Sequence, residues 1–141
     1  VADHGRTHEA PREGSRTPPP GETLAMGTVP AEHGVPGIHG RDFVLRRLRF
    51  PAGTSTGWHY HPGCLYVIVE HGELLHCEPD GTTRCYRAGD AFVEPEGPDY
   101  VHCGTAVGPE TVHLAALYLN PRGGELVVPA PPPPAWASDR D

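Results

Sequence analysis

Short apolar runs separated by turn signals recur through the middle of this chain, and no stretch of ten or more residues carries a 3.6-residue apolar period free of Gly and Pro. The runs read "FVLRRLRF", "CLYVIVE", "ELLHCE", "TRCYRAGDAFVEP", "YVHCG" and "TVHLAALYL". Between them, "PAGTSTG", "EHGE", "PDGT", "RAGD" and "PEGPD" supply the Gly or Asp that a positive φ or an Asx-turn demands. Eighteen Gly and eighteen Pro against two Trp, three Phe and one Met point the same way, because neither Gly nor Pro tolerates a helix interior. The rhythm is that of a β-sandwich or barrel: an all-β chain with almost no helix.

The ends differ from the middle. Residues 1–40 read as an N-terminal arm and a Gly- and Pro-rich lead-in, 41–122 as the barrel, and 123–141 as a Pro-rich tail. The stretch "PAPPPPAWASDRD" is expected to run as extended polyproline structure, with Trp136 the one sign that it docks, since a large aromatic usually covers a surface. A formal charge of −7 repels a polyanionic backbone, which argues against a nucleic-acid partner. No run approaches the roughly 18 apolar residues of a membrane helix, and the start lacks the apolar segment of a secretion signal, so a soluble cytoplasmic protein is expected. Cys64, Cys77, Cys85 and Cys103 have no CxxC spacing and read as free buried thiols. Cys77 and Cys85 flank one turn, which leaves a cross-hairpin disulfide as the alternative.

The chemistry is concentrated in "GWHYHPG". His59 and His61 stand two apart on a strand and leave the same face, half of a transition-metal site. The surrounding frame resembles the cupin superfamily. Gly53, His59, His61 and Gly72 fall on its first motif, and Gly89, Pro95 and Gly97 on its second, within a resemblance spanning roughly residues 41–121. The resemblance implies a double-stranded β-helix, or jelly-roll, barrel. Two departures stand out. The first-motif Glu, normally a metal ligand, falls on Leu65 or Tyr66, and the second-motif His falls on Tyr100 by strict count. His102, two residues on, returns to the same face and is expected as the third ligand.

A hairpin about Glu70 and His71 would set residue 65 opposite His76, about 5 Å away at Cβ, so His76 is expected to replace the lost carboxylate. His113 competes for that fourth place if the chain turns back through "GTAVGPE". The expected metal set is therefore His59, His61, His76 and His102 with no carboxylate, and the catalytic set His59, His61 and His102. His33 and His39 precede the barrel, and His4, His8 and His71 read as arm or turn residues. Neutral imidazoles leave the full charge on a divalent ion, which favours Lewis-acid chemistry. One divalent metal per chain is expected, zinc first and Fe, Ni or Mn possible.

The wording "TGWHYHPG", "AGDAFVEP" and "VHCG" is similar to single-domain cupins of bacterial aromatic polyketide pathways, including small zinc cyclases. That resemblance implies aldol-type ring closure of a poly-β-ketone in an apolar barrel, with Trp58, Tyr60, Tyr66 and Arg46 lining or rimming the substrate pocket. Two alternatives remain: an iron-dependent three-histidine dioxygenase or other oxidoreductase, and a non-catalytic small-molecule binder. The substrate is expected to be small, and the resemblance implies a homodimer strapped by the Pro-rich ends.

Overall fold

In the computed structural model, residues 20–32 and 34–137 are described. Ten strands form in order: β1 (Gly21–Thr28), β2 (Asp42–Phe50), β3 (His59–Tyr60), β4 (Cys64–His71), β5 (Glu73–Cys77), β6 (Thr83–Arg87), β7 (Ala91–Glu94), β8 (Cys103–Val107), β9 (Val112–Asn120) and β10 (Val128–Pro129), followed by a single turn α1 (Pro134–Ala137). The all-β expectation is borne out. They assemble, all antiparallel, into a five-stranded sheet in the order β1-β2-β9-β4-β7, a three-stranded sheet in the order β6-β5-β8, and a two-stranded β10-β3 pair.

Period-2 alternation decides what each strand buries. Val44, Leu48 and Phe50 of β2, Leu65, Val67 and Val69 of β4, and Val112, Leu114, Ala116 and Tyr118 of β9 turn inward. They meet Leu74 of β5 and Ala106 of β8 in one core between the two larger sheets. β1 lies within the stretch read as a lead-in and pairs with β2 along its length, yet all eight of its residues are exposed.

The hairpin expected between β4 and β5 does not form. Gly72, at φ +86°, turns the chain out of the five-stranded sheet into the three-stranded one, and a Cβ there would meet Thr111 O at 2.8 Å. Only Gly accepts that combination of dihedral and close approach. Leu65 therefore stands between Glu94 on β7 and Tyr118 on β9, while His76 faces Arg84 and Gly104.

Register also decides the thiols. All four cysteines are free; Cys103 is buried, Cys64 and Cys77 are half-buried, and Cys85 is exposed rather than buried. Cys85 pairs with Leu75, so Cys77 and Cys85 do not face each other; Cys77 stands across from Cys103. The tail departs from pure polyproline structure as well. Pro134 opens the helical turn, where its missing N–H costs nothing, and Trp136 N donates to Pro133 O at 2.8 Å.

Candidate metal centre

His59 and His102 exchange both main-chain hydrogen bonds, at 3.0 and 2.9 Å, which sets their rings 4.3 Å apart. His61, two residues along, brings its ring to 4.9 Å from His59 and 5.1 Å from His102. One ring nitrogen of each lies within 4.8 Å of the other two. The opposite nitrogens are all committed: Nδ1 of His59 to Gly57 O at 2.7 Å, of His61 to Leu126 O at 2.8 Å, and of His102 to Tyr100 O at 3.0 Å. A carbonyl can only accept, so each Nδ1 carries a proton, and in the neutral ring each Nε2 presents a lone pair to the interior. The buried Nε2 of His102 has no hydrogen-bond partner among the described residues.

A carboxylate occupies the middle of this cluster. Glu94, the last residue of β7 and 7 % exposed, sets Oε1 3.1 Å from His61 Nε2 and Oε2 2.7 Å from His76 Nε2 and 3.3 Å from His102 Nε2. His76 is held from its other side by Glu78, whose Oε2 lies 2.8 Å from Nδ1. Tyr100 in turn donates to Glu78 Oε1 at 2.6 Å.

The electrostatics follow from this order. Burial pushes the Glu94 carboxyl up, but the charge of His102 and the contacts from His102, His61 and His76 outweigh it and hold the group well below the usual carboxylate range. Burial likewise opposes charge on His76, and the flanking carboxylates of Glu94 and Glu78 reverse that, raising its pKa. His59 is pushed down to about 3, by burial first and then by the charges of His102 and His61. It is therefore neutral near neutral pH and free to ligate.

Glu94 adds a carboxylate that the expected set lacked: it stands one strand sideways from the position where the motif Glu is missing, and with His76 and His102 it forms a second group that could hold an ion. His76 reaches the cluster, but from the opposite sheet and with both ring nitrogens already held by carboxylates. His113 is not brought in; its ring lies 5.8 Å from that of His71, whose Nε2 meets Glu110 at 3.2 Å. His39 is at an exposed site with Nδ1 3.3 Å from Val35 O, and His4, His8 and His33 lie outside the described residues. Glu94 was legible in one respect. It ends the run "AFVE" on the same face as Phe92, immediately before Pro95 terminates the strand. What the sequence does not carry is which strand lies beside β7.

Around the cluster is a cavity of about 440 Å³, walled by Leu48, Phe50, Leu65, Val67, Leu74 and Leu114, a size and lining suited to a small apolar molecule. Of the four residues expected to line it, Trp58 does. Tyr66 is 46 % exposed on the outer face of the five-stranded sheet, because the inward positions of β4 belong to Leu65 and Val67. Tyr60, between the two inward histidines, pairs with Val128 and is not among the lining residues. Arg46 is buried on the inner face of β2 and donates to Thr23 Oγ1 at 2.8 Å, also away from the lining.

The tail completes the site. Val127 and Pro129 line the cavity, Leu126 supplies the carbonyl that orients His61, and Ala130 N donates to Trp58 O at 3.1 Å. Trp136 packs on Trp58 with ring centroids 5.4 Å apart and donates from Nε1 to Glu78 O at 2.6 Å. One segment therefore touches both Trp58, next to His59, and the main chain of Glu78, whose carboxylate holds His76.

Comparison with known proteins agrees with the fold. Residues 46–118 match the cupin domain family. A protein with a double-stranded β-helix domain from Klebsiella pneumoniae superposes with a TM-score of 0.60 at 18 % identity, over 79 % of this chain and 85 % of that one. A cupin 2 conserved barrel domain protein from Salinispora arenicola gives 0.53 at 20 % identity, covering 71 % and 74 %. The DMSP lyase DddQ from Ruegeria pomeroyi gives 0.56 at 19 % identity, with 64 % of this chain spanning 44 % of the lyase. At these identities the likeness carries the fold alone. No curated protein matches the sequence.

Proposed function

The chain belongs to the cupin domain family, and on that premise we propose that its interior holds one divalent transition-metal ion between His59, His61, His102 and Glu94, zinc first. The observation that carries this is the convergence of ring nitrogens from His59, His61 and His102, with Glu94 3.1 Å from His61 Nε2 and 3.3 Å from His102 Nε2, the latter without a hydrogen-bond partner among the described residues. Electron-rich atoms brought this close and taken out of water are stabilised by a cation among them. His76 then acts as a positioning residue, aiming Glu94 through a Glu78–His76–Glu94 chain of charge-assisted hydrogen bonds.

The chemistry a bound ion would supply is polarisation of a substrate carbonyl, which acidifies the adjacent C–H. The protein's own contribution is placement. The aliphatic walls exclude water and fold an apolar substrate, and Trp58 with Val127 and Pro129 frames the cavity from the tail side. This suits proton abstraction next to a carbonyl, and the specific reaction we propose is aldol-type ring closure of a poly-β-ketone. Glu94 itself favours a second reading: a carboxylate in the shell offsets part of the metal's charge and suits iron or manganese, hence an oxidative centre.

Metal analysis with X-ray absorption tests the site. We expect about one ion per chain with three nitrogen ligands and one carboxylate, and the same three nitrogens in His76→Ala. Loss of a nitrogen in that variant would return His76 to the ligand set. For the reaction, the loaded protein should redirect the products of a spontaneously cyclising poly-β-ketone. An unchanged pattern, matched by His59→Ala, would overturn the cyclase; iron content with oxygen uptake would establish the oxidative reading instead.

A further inference from the structure

Tyr118 is 0 % exposed, lines the cavity, and its hydroxyl has no hydrogen-bond partner among the described residues. A buried phenol left without a partner costs free energy, so its retention needs an explanation. Its position supplies one. Tyr118 and Glu94 flank Leu65 from opposite sides on the same inward row of the five-stranded sheet, and the Tyr118 ring stands edge-on to His61 at 5.9 Å.

The other hydroxyls around the cavity are committed. Thr54 Oγ1 donates to Pro51 O at 2.7 Å, Thr56 Oγ1 to Gly57 O at 2.8 Å, and Ser55 Oγ is paired with Cys103 Sγ at 3.2 Å. In their neutral form the Nε2 atoms of His59, His61 and His102 can only accept or ligate, as can the carboxylate of Glu94, and His76 gives its ring N–H groups to Glu78 and Glu94. Among the described residues Tyr118 is thus the lining hydroxyl with a free hydrogen to give. Burial keeps the phenol protonated and able to donate, with the charges of Arg46 and Glu94 acting on it in opposite senses.

We infer that the Tyr118 hydroxyl is the substrate-binding donor of this cavity, hydrogen-bonded to a carbonyl, enolate or carboxylate oxygen of a small, otherwise apolar ligand. The inference deepens the function proposed above, resting on its choice of this cavity as the ligand site. It assigns the ligand's recognised group: an acceptor oxygen placed at Tyr118, with the remaining carbon skeleton against Leu48, Phe50 and Leu114. The inward face of β9 then contributes to specificity without contributing a metal ligand.

Acetylacetone, a small β-diketone, is the probe. Its affinity is measured by calorimetry for the full chain and for Tyr118→Phe, each with and without zinc, alongside metal content and thermal unfolding of the ligand-free proteins. The loss of a hydrogen bond to an oxygen of negative character should weaken the probe roughly ten- to a hundredfold. Metal content should stay equal, and the melting temperature of the ligand-free variant should not fall, because no protein contact of the hydroxyl is removed. Equal affinity in the two proteins overturns the inference, whether or not zinc is bound, and a melting temperature lowered by several degrees overturns it in favour of a structural hydroxyl. Metal content of the unmutated chain separately decides the metal centre, so the two readings fail by different results.

Discussion

Replacing Glu94 by Gln keeps its volume and removes its charge in the most enclosed part of the molecule. In metal-free protein the carboxylate accepts from His76 at 2.7 Å and lies 3.1 Å from His61 Nε2 and 3.3 Å from His102 Nε2. A charge-assisted hydrogen bond contributes about 1.5–3 kcal/mol, and breaking a buried ion pair by removing one partner costs about 3–5 kcal/mol. Gln still offers one acceptor oxygen to His76, so the lower end applies and about 3 kcal/mol is expected. For a domain of this size each kcal/mol moves the midpoint by about 4 °C, giving a fall of about 12 °C. Calorimetry and urea unfolding of the metal-free protein should agree on that figure. A loss below about 1 kcal/mol would refute the reasoning, because it would mean that Glu94 is not the buried charge partner of His76. The unmutated protein should also gain more stability from added zinc than the variant does, by mass action on a tighter site.

Trp136→Ala removes the tilted ring contact with Trp58 and the hydrogen bond to Glu78 O, together about 2 kcal/mol, and should lower the melting temperature by about 8 °C; an unchanged value would show that the tail does not dock. Gly72→Ala forces a Cβ to 2.8 Å from Thr111 O at φ +86° and should cost about 2 kcal/mol in urea unfolding; a loss within error would mean that the corner relaxes freely. We propose that the chain is a homodimer. Light scattering should then give twice the 15.1 kDa chain mass, and a monomeric protein would refute it.

The strand content, the turns and the HxH pair were legible because each depends on neighbours in sequence. Alternation with period 2 is a local property, so His59 and His61 share a face wherever the strand ends up, and His102 follows from the same parity. The cupin frame carried the fold for the same reason: its glycines mark where a corner needs a positive φ, as Gly72 does. What the spacing could not carry was strand order. Reading β4 and β5 as a hairpin put His76 opposite residue 65, whereas the Gly72 corner sends β5 to the other sheet and brings Glu94 to that place.

An all-β barrel with histidines on one inward face follows from backbone conformation and side-chain parity, both local properties of the chain. What surrounds those histidines does not. Glu94 arrives from β7, Tyr118 from β9, and the carbonyl that fixes His61 from Leu126, 65 residues further along the chain. These neighbours are set by which strands exchange hydrogen bonds across sheets. That pairing is a long-range choice, fixed by burying the whole core at once rather than by any one segment's preference.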